Sequence, residues 1–273
     1  METPIKNLIL DMDGVLWRGD TPMPGLVEFF AALRAAGIGF VLATNNATKT
    51  AGMYTERLAR FGVDVPPEQI LTSAEVAAHY LAGRYSAGSA VYVIGGKGLH
   101  QAVTAQGFRV MPAAEVRAGG RAVAVIAGLS PNLTYEELAM GAHLVNQGVP
   151  FVGTNPDPTF PSELGPLPGA GAILAMITTA TGIEPTIIGK PGPIVFDEAV
   201  KLLGGDPSTV AMVGDRLSTD IHGAKNAGLR AILVLSGIST REEADDGPVR
   251  PDYIFTDITE LAAFLTGEPA EAR

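Results

Sequence analysis

Short apolar runs rich in branched residues alternate with longer amphipathic segments along most of the chain. The runs predict strands at 7–10, 39–43, 91–94, 122–127, 150–153, 187–188, 210–213 and 231–235, and the amphipathic segments predict helices that include 25–36, 49–61, 195–203 and 220–227. Strands that alternate with helices form mainly parallel sheets, because each helix carries the chain back to the same end of the sheet. The expected fold class is therefore α/β, with helices on both faces of the sheet.

The composition limits what the chain can bind and where it works. Its 273 residues fit one large domain or two smaller ones, and 47% of them are hydrophobic, which is enough for a substantial core. The net charge of −10 argues against nucleic acid as a partner, and the absence of cysteine excludes disulfides, thiolate metal sites and a cysteine nucleophile. No apolar run approaches the roughly 18 residues of a membrane span and no signal peptide is evident, so we expect a cytoplasmic protein without a membrane partner.

Two polar clusters directly follow the first two predicted strands. Asp11 and Asp13 come after the strand 7–10, and Thr44, Asn45 and Asn46 come after the strand 39–43. The carboxyl ends of parallel strands meet at one edge of a sheet, where α/β proteins build their sites. A carboxylate pair can bind a hard cation or supply a nucleophile and an acid, while a hydroxyl and successive N–H groups suit a phosphate oxygen. Taken alone, the first cluster fits a polar loop cap equally well, and the second fits a helix N-cap better.

Two further polar positions lie late in the chain. Lys190 follows the predicted strand 187–188 and could balance the charge of carboxylates and a bound phosphate, although an isolated lysine is usually a solvated surface residue. Asp215 follows the strand 210–213, where a metal ligand is expected, and Asp220 lies near the start of the next helix, where it could orient the groups that hold a metal. Helix capping is the alternative for both aspartates, and it fits Asp220 better than Asp215.

The order and placement of these residues are more specific than any one of them. The motifs DMDGV from Asp11, TNN from Thr44, GKP from Gly189 and GDRLSTDI from Gly214 resemble the four motifs of the haloacid dehalogenase (HAD) superfamily. Together with the segments TNPDPTFP and PGAGAI, they resemble its NagD-like, or p-nitrophenyl phosphatase-like, group. The resemblance covers nearly the whole chain. One position departs from it, because Ser218 stands where aspartate is frequent.

The resemblance implies an architecture of two parts. The short interval between Asp11 and Thr44 leaves no room for a cap, whereas the long interval between Thr44 and Lys190 matches an inserted α/β cap of the type called C2. We expect a Rossmann-like parallel-sheet core from residues 1–80 and 185–273, and a cap from residues 81–184 that determines substrate specificity. Dimers formed through the cap are common in similar proteins, so the resemblance makes a homodimer the assembly to test.

The resemblance also implies Mg²⁺-dependent hydrolysis of small phosphate monoesters through an aspartyl-phosphate. Sugar phosphates, phosphoglycolate, pyridoxal phosphate and p-nitrophenyl phosphate are the implied types of substrate. Mg²⁺ would be held by the Asp11 carboxylate, the Asp13 backbone carbonyl and the Asp215 carboxylate, with Asp220 behind them. Asp11 would act as the nucleophile, and Asp13 as the general acid and then the general base.

The remaining motif residues are assigned by the same resemblance. Thr44, Asn45 and Asn46 would bind the oxygens of the phosphate group. Lys190 would bind phosphate and offset charge on the transferring phosphoryl group, which is the main task of catalysis in phosphoryl transfer. With these assignments, the resemblance implies a phosphoric monoester hydrolase.

Some segments outside the four motifs are also of interest. Asn155 and Asp157 lie in a Pro-rich polar loop after the strand 150–153 and are expected to help shape the site, with a structural turn as the alternative. Trp17 and Arg18 follow the first motif and could line the mouth of the site, with core packing as the alternative for Trp17. The glycine-rich stretch 95–98 lacks the pattern of a phosphate-binding loop and predicts a helix start instead.

Two alternatives belong to other functional classes. A receiver domain also combines an acidic pair with a threonine and a lysine, but it is much shorter, and its acceptor aspartate follows an apolar strand, which Asp64 does not. A HAD-like binding or regulatory protein with weak catalysis is the second alternative, and the four intact motifs argue against it. Dehalogenases and phosphomutases usually carry a cap after the first motif, where this chain has no room for one.

Overall fold

The structure is a computed structural model that describes residues 4–162 and 165–267. Its strands, in chain order, are β1 (Asn7–Leu10), β2 (Trp17–Arg18), β3 (Thr21–Pro22), β4 (Gly39–Thr44), β5 (Ile70–Thr72), β6 (Ala90–Ile94), β7 (Arg109–Val110), β8 (Ala124–Ala127), β9 (Phe151–Gly153), β10 (Thr159–Ser162), β11 (Gly165–Pro168), β12 (Thr186–Ile187), β13 (Val210–Gly214), β14 (Arg230–Val234) and β15 (Tyr253–Phe255).

The helices are α1 (Leu26–Ala35), α2 (Ala51–Arg60), α3 (Ser73–Ala82), α4 (Lys97–Ala105), α5 (Ala113–Arg117), α6 (Tyr135–Asn146), α7 (Ala170–Thr181), α8 (Pro193–Leu203), α9 (His222–Asn226), α10 (Arg241–Asp246) and α11 (Ile258–Thr266). Short 3₁₀ turns occupy Pro67–Gln69 and Pro207–Thr209, and a π-helical turn, Leu217–Ile221, leads into α9. The predicted alternation of strands and helices is confirmed. Across the described residues, no helix has the length and apolar character needed to cross a membrane.

The chain divides into two compact units. The first takes residues 1–44, 51–71 and 195–273, and the second takes residues 45–50 and 72–194. The division therefore falls near positions 71 and 194, whereas the sequence predicts domain boundaries near positions 80 and 184. A cap of residues 81–184 stays a prediction.

The first unit is built on a six-stranded sheet with the order β15-β14-β13-β1-β4-β5. Strand β1 pairs in parallel with β13 on one side and β4 on the other, and β13, β14 and β15 continue the parallel pairing. Leu8, Ile9 and Leu10 of β1 are fully buried, as expected for a central strand covered on both faces. The hydrophobic core joins β1, β4 and β13 to side chains of α1 and α2, which include Phe29 and Tyr54.

The second unit has its own five-stranded sheet with the order β12-β9-β8-β6-β7, and all four strand pairs are parallel. Its separate core packs Tyr92 and Val125 from the sheet against Leu144 of α6 and Leu174 of α7. Helix α6 begins with a capping box in which the Thr134 side chain accepts a hydrogen bond from the backbone of the third helical residue. An α/β fold with parallel sheets is thus present in both units.

Two segments differ from the sequence-based expectation. The density of Pro and Gly in residues 154–171 predicts an ordered loop, but this segment contains the antiparallel strand pair β10–β11. The sequence does not predict these strands, because it has prolines at 161, 166 and 168, and proline is depleted in strands. The predicted helix 220–227 starts earlier, as the π-helical turn that contains Asp220. The predicted helix start at the glycine-rich stretch 95–98 is confirmed, since α4 begins at Lys97.

We predict that Leu10→Ala lowers the free energy of unfolding by about 2–5 kcal/mol, because it opens a cavity beside the neighbouring strands β4 and β13. Leu202→Ala on α8 is the matched control, since Leu202 is 47% exposed, and its effect is expected to be about 0.5 kcal/mol or less. Urea unfolding followed by circular dichroism measures both variants. Equal losses of stability would contradict the placement of β1 at the centre of the core.

Candidate active site

Three carboxylates lie together in the first unit. Asp11 follows β1, Asp215 follows β13 and Asp220 lies in the π-helical turn, and one oxygen from each lies within 4.8 Å of the others. The exposed fractions are 9% for Asp11, 3% for Asp215 and 1% for Asp220. Because β1 and β13 are parallel neighbours, their carboxyl ends bring the first two aspartates to the same edge of the sheet.

Backbone N–H groups hold two of these carboxylates in place. Asp215 Oδ2 accepts a hydrogen bond from Ile238 N at 2.9 Å, in the loop after β14. Asp220 Oδ2 accepts one from Arg216 N at 3.1 Å. Ser239 joins the loop to this segment, because its backbone N donates to Asp215 O and its Oγ accepts from a backbone N–H of the π-helical turn. The orientation of the acidic group is therefore set by the backbone.

Glycines make room for the carboxylates. A β-carbon on Gly14 or on Gly237 would overlap Asp215 Oδ2, and a β-carbon on Gly214 would overlap the side chain of Asp220. Gly14 also has a φ of +91°, a conformation that other L-residues rarely adopt. The acidic group thus lies where the backbone approaches closely from three separate segments, namely the loop after β1, the end of β13 and the loop after β14.

The donor set fits a divalent metal ion. Three nearly buried carboxylates at this separation repel each other, and a bound cation offsets that repulsion. Hard cations such as Mg²⁺ and Ca²⁺ take oxygen ligands. The sequence predicts the side chains of Asp11 and Asp215 as ligands with Asp220 behind them, and the structure brings the Asp220 carboxylate into the same group. The backbone carbonyl of Asp13 as a further metal ligand stays a prediction.

The Asp13 side chain is directed by a neighbouring indole. Asp13 is exposed, and its Oδ1 accepts a hydrogen bond from Trp17 Nε1 at 2.7 Å. Trp17 itself is fully buried, so the packing alternative for this residue is confirmed. Arg18 is exposed and donates to the backbone oxygen of Ser236.

Thr44 ends strand β4 and is 4% exposed. It belongs to the first unit with Tyr54 of α2, whose phenol is buried. Burial raises the pKa of Tyr54, and the negative charges of Asp13 and Asp11 raise it further, so the phenol keeps its proton at neutral pH. Tyr54 is therefore a neutral group in the surroundings of two carboxylates.

A second polar group lies in the second unit and is centred on Asn45. The Asn45 side chain pairs with the backbone of Lys190 in both directions, since Oδ1 accepts from Lys190 N at 2.8 Å and Nδ2 donates to Lys190 O at 2.8 Å. The same Nδ2 donates to Asp157 Oδ2 at 3.1 Å. A β-carbon on Gly189 would overlap Asn45 Oδ1, so glycine is needed next to this lysine. Lys190 is 2% exposed, which excludes the solvated surface lysine considered above.

Two more side chains fix the backbone of Asn45. Its carbonyl oxygen accepts from Ser73 Oγ at 2.6 Å and from Asn155 Nδ2 at 2.7 Å. Ser73 is fully buried and Asn155 is 5% exposed. The Asn46 side chain serves a local turn, because its Oδ1 accepts from Thr48 N at 2.9 Å and from the Thr48 hydroxyl. Asp157 N also donates to Asn155 Oδ1 at 3.2 Å, so the contacts fit both the hypothesis that these residues shape the site and the alternative of a structural turn.

The structure therefore collects five of the motif residues into two sets, and Asp13, Thr44 and Asn46 lie outside both. Asp11, Asp215 and Asp220 form the acidic group, and Asn45 and Lys190 form a hydrogen-bonded pair. Ser73 and the loop 236–239 are contacts that sequence reasoning missed. Serine and glycine residues after the predicted strand 231–235 indicate a loop at a strand end, where a site contact is expected. Ser73 begins a helix, and a serine there gives no indication of a contact with Asn45.

Comparison with known proteins identifies the family. A family model described as haloacid dehalogenase-like hydrolase matches residues 8–109, and a HAD-hydrolase-like model matches residues 187–261. The chain is 39% identical to an acid sugar phosphatase of Staphylococcus aureus over 260 residues, which cover 95% of this chain and 98% of the relative. The chain belongs to the haloacid dehalogenase-like hydrolases.

Similar solved structures indicate the group within this family to which the chain belongs. A 4-nitrophenylphosphatase from Thermotoga maritima matches with a TM-score of 0.87 and 36% identity, covering 94% of this chain and 96% of that chain. NagD from Escherichia coli K-12 matches with a TM-score of 0.85 and 33% identity, covering 94% and 98%. The chain is thus a NagD-like phosphatase of the haloacid dehalogenase-like family, as the motifs predicted.

We predict that Asp215→Asn and Asp220→Asn each weaken binding of Mg²⁺ or Mn²⁺ by about 10–100-fold, because each removes a charge or an orienting carboxylate from the acidic group. Isothermal titration calorimetry without substrate measures the affinity. Asp64→Asn, at an exposed position, is the control with the same change of charge. Gly237→Ala should also weaken binding by crowding Asp215, whereas Gly83→Ala, where a β-carbon meets only ordinary contacts, should not. Unchanged affinity in both aspartate variants would exclude the acidic group as the metal site.

We predict that Asn45→Asp destabilises the protein by about 1–3 kcal/mol, because it removes both Nδ2 hydrogen bonds and places a carboxylate against Asp157. Adding Asp157→Asn restores a donor to that contact, so the double variant should recover part of the loss. Urea unfolding of the wild type, the two single variants and the double variant gives the coupling energy. Simple additivity of the two changes would show that Asn45 and Asp157 do not interact in solution.

Proposed function

We propose that this phosphatase hydrolyses small phosphate monoesters, sugar phosphates foremost among them, with Mg²⁺ as the cofactor and Asp11 as the nucleophile. The acidic group at the ends of β1 and β13 carries the proposal, because it places Asp11 beside two further carboxylates in nearly buried surroundings. The similarity to an acid sugar phosphatase and to a 4-nitrophenylphosphatase supports the class of substrate. A cytoplasmic location and a homodimer stay predictions.

Binding is assigned to groups that suit phosphate oxygens. The hydroxyl of Thr44 and the backbone of Asn45 and Asn46 would donate hydrogen bonds, and Lys190 would supply a positive charge. The two hydrogen bonds between the Asn45 side chain and the Lys190 backbone support this role, since they fix the backbone from which the lysine side chain extends. Mg²⁺ held by Asp11, the Asp13 carbonyl and Asp215 would offset negative charge on the transferring phosphoryl group.

The reaction would then take two steps. In the first, an Asp11 carboxylate oxygen attacks phosphorus, the bond from phosphorus to the ester oxygen breaks, and Asp13 gives its proton to the departing oxygen. In the second, the oxygen of a water molecule attacks phosphorus while the water gives a proton to Asp13. The bond from phosphorus to the Asp11 oxygen breaks, which releases phosphate and restores the Asp11 carboxylate. The first step needs Asp13 protonated and the second returns that proton, so the cycle balances.

We predict that Asp11→Asn abolishes turnover of p-nitrophenyl phosphate and of sugar phosphates, because an amide oxygen is a poor nucleophile, and that EDTA abolishes turnover by the wild type. Phosphate release over a panel of esters measures both effects. Borohydride treatment during turnover should convert residue 11 to homoserine, detected by mass spectrometry, since an acyl phosphate is reducible and a free carboxylate is not. Asp64→Asn serves as the control and should keep wild-type rates.

Two outcomes would contradict the proposal. Equal rates in the wild type and Asp11→Asn would exclude Asp11 as the nucleophile. No turnover of any ester by a wild-type protein that still binds Mg²⁺ would favour the alternative of a binding or regulatory protein. The ranking of esters by kcat/KM would identify the preferred substrate.

A further inference from the structure

The hydrogen bond between Asp13 and Trp17 has no part in the two steps above. Nε1 of the buried Trp17 donates a hydrogen bond to Asp13 Oδ1 at 2.7 Å. Asp13 itself is an exposed residue. We infer that Trp17 is a positioning residue, which holds one oxygen of Asp13 so that the other is presented to the leaving group. The inference rests on the proposed role of Asp13 as the general acid.

The backbone between the two residues fixes their separation. Gly14 N donates to Trp17 O at 2.8 Å, and Leu16 N donates to Met12 O at 2.8 Å, so the chain folds back on itself directly after the first motif. The positive φ of Gly14 permits this turn, and Asp13 and Trp17 pair as an isolated bridge. The indole is therefore brought to the carboxylate by a hydrogen-bonded turn rather than by a flexible loop.

Helix α2 holds the indole from another direction. The Arg57 guanidinium carbon lies 4.5 Å from the centre of the Trp17 ring, and the Tyr54 ring is stacked against it with centres 6.2 Å apart. Arg57 is 8% exposed. It also donates a hydrogen bond to the Gly19 carbonyl and forms an ion pair with Asp20, and both residues lie between β2, which contains Trp17, and β3. Cation–π contact and stacking both restrict rotation of the ring. The indole that donates to Asp13 is thus held by α2 as well as by the turn.

A fixed donor matters for proton transfer. A general acid acts only when its oxygen lies within hydrogen-bond reach of the atom it protonates, and an exposed side chain otherwise samples several rotamers. With Oδ1 held by Trp17, Oδ2 keeps one direction, and less orientational freedom is lost at the transition state. The competing explanation is that Asp13 merely satisfies a buried indole N–H, which needs an acceptor in any folded protein.

The contact is directly observable, because the sequence contains a single tryptophan. A ¹⁵N-labelled sample gives one indole N–H resonance, which we expect to be shifted by the carboxylate and protected from hydrogen exchange. Asp13→Ala should move that resonance and reduce its protection by at least about tenfold, because the exchange of a hydrogen-bonded N–H requires opening. An indole resonance unchanged by Asp13→Ala would overturn the inference without reference to activity.

The effect on catalysis is tested with two esters of similar shape. The phenolate of p-nitrophenyl phosphate leaves readily without a proton, whereas that of phenyl phosphate needs the general acid more. We expect Trp17→Phe, which keeps an aromatic ring against Arg57, to lower kcat/KM about tenfold for phenyl phosphate and less than about twofold for p-nitrophenyl phosphate. The value of kcat/KM covers only the steps through the first phosphoryl transfer, so hydrolysis of the aspartyl-phosphate does not mask the difference. An equal loss for both esters would show a structural role only.

Control variants separate packing from positioning. Phe61→Leu loosens a ring that also packs on Trp17, with centres 6.1 Å apart, but leaves the indole N–H in place. It should change kcat/KM for both esters by the same factor. Arg57→Met should show the ester-dependent pattern more weakly than Trp17→Phe, and it provides the test if Trp17→Phe does not fold. Equal losses for both esters in Arg57→Met would then overturn the inference.

The proposed function and this inference fail in different ways. If Asp13→Asn leaves kcat/KM for phenyl phosphate unchanged, Asp13 is not the general acid and the proposed function is wrong at that residue. If Asp13→Asn removes most activity but Trp17→Phe shows no ester dependence, only the inference is wrong. In an Asp13→Asn background, Trp17→Phe should add no ester-dependent loss, because the group it positions is already absent.

Discussion

The parallel pairing of β1 with β13 is the constraint on which the acidic group depends. Leu10 lies opposite Val213 in the register, and the Asp11 backbone N–H donates to Val213 O at 2.9 Å, so the last bond of the strand pair leads directly into the site. The close packing of Leu8, Ile9 and Leu10 resists a shift of this register, since a slip by one residue would move each buried side chain to the other face, where its neighbours differ. The free energy of the core therefore holds together carboxylates that repel each other.

A different principle organises the group around Asn45. There a side-chain amide takes the place of a backbone strand, because it accepts from and donates to the backbone of Lys190 as a β-partner would. Asp157 and Asn155 then fix the amide and the carbonyl of Asn45. Such a network is sensitive to single substitutions, because each buried polar atom that loses its partner keeps the cost of its lost hydration. Both groups use close backbone approach, at Gly14, Gly189 and Gly237.

Much of the fold followed from local patterns, and the exceptions have physical causes. Strands such as β1 and β13 were evident because fully buried strands are continuous apolar runs. The strand pair β10–β11 was hidden by its prolines, and the π-helical turn at Asp220 by a sequence that reads as an ordinary helix start. The motif residues could be placed at strand ends because β–α alternation fixes which ends face the site. Their hydrogen-bond partners could not, since Ser73 and the loop 236–239 come from distant parts of the chain.

The sequence by itself determined the alternation of strands and helices, the family and the identity of the acidic, threonine and lysine residues. The alternation depends on patterns that extend over only a few residues, and the family depends on the order and spacing of four short motifs along the chain. The tertiary structure alone decided that Asp220 joins Asp11 and Asp215, that Asn45 pairs with the Lys190 backbone, and that Trp17 is bonded to Asp13. The first two depend on chain segments far apart in sequence. The third depends on a turn through Gly14 with positive φ, a backbone conformation that has no periodic signature in the sequence.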